Sequence, residues 1–67
     1  MNFLIKPLIA EMVFSEGGNR EGIYQRTCEV LFCDRDVAEM IYFAFMYGAE
    51  EYYIRGILNS GLSDIYN

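Results

Sequence analysis

The clearest helix signal in this 67-residue chain is the stretch Asp34–Gly48, which reads DRDVAEMIYFAFMYG. Asp34 is placed to accept hydrogen bonds from the free amides of a first helical turn, and Asp36 adds negative charge where the helix dipole is positive. Gly48 suits the left-handed conformation that commonly ends a helix. The sequence therefore predicts one helix here, around which the other segments are arranged.

This predicted helix is apolar on two sides. At about 100° per residue, the first side is a core stripe of Val37, Met40, Ile41, Ala44, Phe45 and Gly48. The second side is an outer row of Glu39, Tyr42, Phe43 and Met46. Two interpretations of the outer row stay open. It is covered by Leu62, Ile65 and Tyr66 of the C-terminal tail, or it is an intermolecular contact surface of the aromatic and methionine type.

The two segments before the helix are interpreted as strands. Phe3–Phe14 is apolar at almost every position, which suits a strand buried on both faces. Because proline cannot donate a hydrogen bond to a sheet, either the regular strand starts just after Pro7, or a bulge or a sheet edge lies at Pro7. Ser15–Gly22, SEGGNREG, predicts an exposed hairpin loop. Ile23–Cys33 alternates, with Tyr24, Cys28, Val30 and Phe32 on one face and Gln25, Thr27 and Glu29 on the other. This alternation predicts a half-buried antiparallel strand.

After the helix, the aromatic and β-branched content of Glu51–Ile57 predicts a third strand. A second helix is the competing interpretation, because Glu51 and Arg55 stand at the i, i+4 spacing that supports helices. Gly56 counts against that helix. Residues 58–67 are interpreted as a tail.

This order of elements predicts a single small domain, residues 1–67, of the α+β class. Its sheet would have three antiparallel strands (β-β-α-β, order 2-1-3), with one helix packed on one face. The order follows from placing the apolar first strand in the middle of the sheet, where both of its faces are covered.

Composition and charge narrow the classes of function. With 54% hydrophobic residues the chain is not intrinsically disordered. A net charge of −5 disfavours direct binding to nucleic acid, where affinity comes from Lys and Arg. The charge fits a partner protein with a basic surface, or serves solubility alone.

The cysteines and the first residues point to the cytoplasm. On one strand, Cys28 and Cys33 would lie on opposite faces and roughly 16 Å apart, beyond disulfide reach. The start MNFLIKPLIAEMVF has no basic leader, and the helix is too short to span a bilayer. We therefore expect a cytoplasmic protein with no membrane contact.

Catalytic patterns are missing from the sequence. There is no histidine, and the serines have no base beside them, so neither a zinc site nor a nucleophile triad is predicted. The acid pairs Asp34/Asp36 and Glu50/Glu51 are better explained as helix-start chemistry and a solvated loop. The sequence therefore predicts a non-enzymatic protein without cofactor or metal.

The acids and the outer row together define a candidate partner-binding surface. Charge would steer a basic partner and the aromatic side chains would anchor it. The residues are Glu29, Asp34, Asp36, Glu39, Tyr42, Phe43, Met46, Glu50 and Glu51.

In size, charge and layout the chain is similar to small phage-encoded inhibitors, including anti-CRISPRs and inhibitors of host polymerases or nucleases. No residue-level motif carries this likeness. It implies an acidic, DNA-mimicking module that blocks a basic nucleic-acid-binding protein of the host cytoplasm. The alternative is a small structural subunit, such as a homodimer, that assembles through the same aromatic helix face.

Overall fold

The computed structural model describes the backbone of residues 3–66 and the side chains of residues 3–61. Over this range it contains no strand. The elements are four α-helices: α1 (Ile5–Glu16), α2 (Arg20–Leu31), α3 (Arg35–Met46) and α4 (Glu51–Tyr66). The predicted α+β class, with its three-stranded sheet, is therefore wrong, and the chain folds as a small all-helical globule.

The first apolar run forms α1 and not a strand. Its buried residues, Ile5, Ile9 and Met12, recur at the spacing of one helix face. Because nearly every position of this run is apolar, its sequence carries no visible period. Pro7 lies in the first turn of α1, where its missing N–H needs no partner within the helix.

The glycine-rich segment predicted as a hairpin loop connects two helices instead. Helix α1 continues through Glu16, and Gly17 adopts a positive φ of 64°. Asn19 then caps α2, since its side-chain oxygen accepts a hydrogen bond from the Gly22 amide at 3.2 Å. A turn is present, but it is shorter than predicted because both ends of the segment are helical.

Helix α2 replaces the second predicted strand. Its buried residues follow helical spacing and are Ile23, Tyr24, Thr27 and Leu31. Thr27, predicted on the solvated face, is 1% exposed and donates its hydroxyl to the Ile23 carbonyl at 2.7 Å. Phe32, predicted on the buried face, is 82% exposed. The alternation in the sequence therefore misidentified both the element and its buried side.

The central helix is confirmed as α3, with both predicted ends. The Asp34 carboxylate accepts a hydrogen bond from the Val37 amide at 3.0 Å. Gly48, just after the helix, has a φ of 81°. These two residues set the limits of α3 by local geometry alone, which explains why the sequence predicted them.

The buried side of α3 is rotated from the prediction. Its buried residues are Val37, Ala38, Ile41 and Tyr42. Met40, predicted in the core stripe, is 56% exposed, whereas Tyr42, predicted in the outer row, is 9% exposed. The rotation follows from packing on two helices, α2 and α4, in place of the predicted sheet, of which residues 3–66 form no strand.

Residues 51–57 belong to α4, so the competing helical interpretation is correct and the third strand is wrong. Ile54 and Leu58, one turn apart, are its buried anchors. Glu51 and Arg55 form the expected i, i+4 ion pair at 3.0 Å. The helix continues to Tyr66, through the segment that was interpreted as a tail.

The helices form a closed ring, in which each packs on the next and α4 returns to α1. Glu51 makes the polar contact of this closure. Its carboxylate oxygens accept hydrogen bonds from the amides of Ile5, at 2.7 Å, and Lys6, at 2.9 Å. Arg55 supports the contact by donating to Glu51 at 3.0 Å and to the Phe3 carbonyl at 2.6 Å. The N-cap residue of α1 provides no side-chain hydrogen bond to the helix. Glu51, 46 positions after Ile5 in the sequence, provides this cap instead.

We expect Glu51→Gln to lower the free energy of unfolding by about 1 kcal/mol at neutral pH, because a charged acceptor at a helix start is lost. Burial raises the pKa of Glu51, but the hydrogen bonds from Ile5, Lys6 and Arg55 outweigh it, and the pKa lies below its ordinary 4.5. Because folding lowers this pKa, the ionised Glu51 carboxylate contributes its full stabilisation above about pH 4.5. That stabilisation is lost as the pH falls further.

Urea unfolding of both proteins between pH 3 and pH 7 measures this difference. The matched control is Glu50→Gln, because Glu50 is exposed and forms no ion pair among the described residues. A Glu51→Gln effect that did not shrink in acid, or that the control reproduced, would contradict the cap role.

Two glycines of α4 give a second, paired prediction. A Cβ at Gly61 would lie 2.4 Å from Cγ2 of Val37, so α4 approaches α3 closely there. A Cβ at Gly56 would meet open space. We expect Gly61→Ala to lower the thermal midpoint, and Gly56→Ala to raise the free energy of unfolding by about 0.5–1 kcal/mol. Equal effects of the two substitutions would refute the close approach.

Candidate functional site

Three residues of the predicted partner-binding surface have roles within the fold. Glu51 caps α1 and Asp34 caps α3. The Tyr42 ring packs edge-on against Tyr24, with ring centroids 5.5 Å apart. These side chains therefore already have partners inside the molecule.

The other six predicted residues lie near the surface. Glu39 is half-buried, and the exposed ones are Glu29, Asp36, Phe43, Met46 and Glu50. They do not form one patch. Glu29 lies on α2, beside a shallow depression of about 330 Å³ that Tyr24 and Arg35 also line. Arg35 is paired there with Glu21, and this hydrogen bond holds the pKa of Glu21 below its ordinary value.

A larger apolar depression lies between α3 and α4. One part, of about 650 Å³, lies beside Phe43 and Tyr47, and the other, of about 460 Å³, lies beside Tyr52 and Gly61. The two parts share lining residues and are treated together as the α3–α4 groove. Its main lining residues are Met40, Phe43, Tyr47, Tyr52, Tyr53 and Ile57.

The side chains of this groove are large and exposed. Met40 and Tyr53, which both parts share, are 56% and 58% exposed, and Tyr47 is 89% exposed. Ile41 and Ile54 are fully buried in the core, and Ile57 of the groove packs partly against that core. Met40, Tyr47 and Tyr53 instead present most of their surface to solvent.

Acids dominate the charge around the groove. Glu39 lines it and pairs weakly with Arg35 at 3.8 Å. Asp36 stands one turn before Met40 on the same side of α3, and Glu50 follows Ala49, another lining residue. On the opposite side, the Arg20 guanidinium lies 5.6 Å from the centre of the Phe43 ring. Of the predicted surface, Glu39 and Phe43 line the groove, whereas Asp36 and Glu50 are next in sequence to its lining residues Val37 and Ala49.

Sequence reasoning missed most of the groove. Met40 was assigned to the core, while Tyr52 and Tyr53 were assigned to a strand. The i, i+4 pair of Glu51 and Arg55 was the available signal. As a helix, that segment places Tyr53 and Ile57 on one side, next to α3.

The proposed cover of the outer row cannot be compared with the structure. Leu62, Ile65 and Tyr66 lie outside the residues whose side chains are described. The interpretation that they cover Tyr42, Phe43 and Met46 therefore stays a prediction.

The cysteines do not lie on opposite faces of a strand. Cys28 is in α2 and Cys33 follows the end of that helix. Burial, with smaller contributions from Cys28 and Asp34, raises the pKa of Cys33 to about 11. Burial also raises the pKa of Cys28. Both thiols are therefore protonated, and poor nucleophiles, at neutral pH.

Among the described residues, no three side chains of the His, Cys, Asp and Glu types come together in a way that could hold a metal ion. No helix there is long and apolar enough to cross a bilayer.

Comparisons with protein-family models, with characterised proteins and with solved structures find no match to this chain. They lend no support to the likeness to phage-encoded inhibitors or anti-CRISPRs. The part of that likeness that rested on an α+β layout is wrong, since the described elements are all helices.

Phe32, which lies outside the groove, has an unusual backbone conformation for a surface residue. It ends α2 in the left-handed conformation, with φ 56° and ψ 49°, where glycine is the usual residue. The residue is 82% exposed, so packing in the described molecule offsets little of this strain.

We expect Phe32→Gly to raise the free energy of unfolding by roughly 1 kcal/mol, because the left-handed strain is relieved and little packing is lost. The matched control is Gln25→Gly, an exposed position inside α2, where glycine destabilises the helix. Chemical denaturation of both variants measures the pair. A loss of stability in Phe32→Gly would show that the ring packs on the fold.

Proposed function

We propose that this protein is a non-enzymatic protein-binding module whose contact surface is the α3–α4 groove. The observation that carries the proposal is the exposure of Met40, Tyr47 and Tyr53 along one groove. Contiguous apolar patches are uncommon on monomers and mark interaction sites when polar residues surround them. Tyrosine and methionine are also enriched in the buried centres of protein interfaces.

The proposal keeps the predicted mode of binding and moves its location. The predicted surface combined acids with the outer row of α3. In the proposed site, Phe43 is joined by Met40 and by aromatic residues of α4, while Asp36, Glu39 and Glu50 supply the acidic surroundings. Buried aromatic anchors would provide affinity, and the acids would favour a basic partner surface.

We expect the double variant Met40→Gln/Tyr53→Gln to weaken partner binding at least tenfold, about 1.4 kcal/mol, because two anchors are lost without a change in charge. The matched control is Phe14→Gln/Phe32→Gln, which removes two phenylalanines that are 86% and 82% exposed and lie outside the groove. Both pairs of side chains project to solvent, so both variants are expected to fold.

The measurement is a pull-down from lysate of the expressing cells, followed by titration of the captured protein against each purified variant. Capture by wild type and control, with loss in the groove variant, supports the proposal. Equal capture by all three would refute the groove as the contact surface. A wild-type dimer that only the groove variant dissociates would assign the groove to self-assembly, the structural-subunit alternative.

A further inference from the structure

We infer that the groove takes an amphipathic helix that carries Lys or Arg beside its apolar anchors. This inference rests on the proposed function and names the class of partner segment for the same site. It follows from three properties of the groove: its walls, its length and its charge.

The walls favour a helix over an extended segment. Both are helices, α3 and α4, whose backbone groups are hydrogen-bonded within each helix, so no free sheet edge is offered to a strand. An incoming helix satisfies its own backbone and presents only side chains. Met40 is flexible and polarisable, which allows the lining of the groove to adapt to such side chains.

The length of the groove matches a short set of helical anchors. Its lining on α4 extends from Tyr52 to Gly61, nine residue steps, or about 14 Å at ~1.5 Å per step. Anchors at positions i, i+3 or i+4, and i+7 of a bound helix span about 11 Å. Three apolar side chains of one helix therefore fit along the groove.

Charge distinguishes a basic partner from a second copy of this chain. Asp36 and Glu50 form no ion pair among the described residues, and Glu39 has only its long contact with Arg35. Arg20, on the Phe43 ring, is the nearby basic group without an ion pair among those residues. A second copy would bring the same acids and another net charge of −5 to the interface. A helix with Lys or Arg would instead pair with them.

The experiment uses three synthetic peptides of about four helical turns. The first is an amphipathic leucine–lysine helix, the second has the same composition in scrambled order, and the third is the amphipathic leucine–glutamate counterpart. Each is titrated into the full chain by calorimetry at low and high salt. Amide chemical-shift changes then locate the bound peptide.

We expect the amphipathic leucine–lysine peptide to bind at least tenfold more tightly than either other peptide, with shifts at Met40, Tyr53 and Ile57. Its affinity is expected to fall in high salt. Asp36→Asn/Glu50→Gln is expected to weaken it about fivefold, a size typical of two exposed ion pairs. Glu11→Gln/Glu29→Gln, which removes two exposed acids outside the groove, is the matched control.

The contrary outcomes separate this inference from the proposed function. If the leucine–lysine and scrambled peptides bind equally, the inference that the bound segment is a helix is overturned. If the leucine–lysine and leucine–glutamate peptides bind equally, the inference that the bound segment is basic is overturned. Amide chemical-shift changes that map outside the groove would overturn both parts of the inference. Suppose that no peptide binds, but that the groove variant, Met40→Gln/Tyr53→Gln, fails to capture the protein that wild type captures. The proposed function then stands and the inference fails. If the groove variant captures as well as wild type, the proposed function itself fails.

Discussion

Glu51 fixes how the last helix meets the first, because its carboxylate accepts hydrogen bonds from two backbone amides at the start of α1. These hydrogen bonds join the first turns of α1 and α4 across 46 and 45 positions of sequence. The apolar contacts between the helices are not directional. A carboxylate that accepts hydrogen bonds from two backbone amides is directional, so it fixes the position of α4 relative to α1. With that position set, Ile54 faces the core and Tyr53 faces the groove.

The groove results from the way in which the sides of α3 are packed. One side of α3 is occupied by the core and by the edge-on pair of Tyr24 and Tyr42. The side toward α4 is filled only at its base, so Met40 and Tyr53 remain exposed above it. The stability of the fold and the proposed binding activity are therefore assigned to different side chains of the same helices. Side chains that stabilise the monomer little can be replaced to test binding without unfolding it.

The errors in the predicted fold have a separate physical origin in each segment. In the first segment, apolar residues occupy every side, so neither a period of two nor one of 3.6 residues is visible. In the second, Thr27 is buried because its hydroxyl finds a carbonyl one turn earlier, a helical solution that strand alternation cannot reveal. At Glu51 and Arg55, where polar residues marked one side of the segment, the local pattern did indicate a helix.

By itself, the sequence determined the features whose causes are local. The cap at Asp34, the left-handed Gly48 and the helix between them depend on a few neighbouring residues, so they were predicted correctly. Tertiary structure alone decided the number of helices and the buried side of each. It also brought Met40 of α3 beside Tyr53 of α4, because such a contact depends on packing between distant segments and not on the propensity of either.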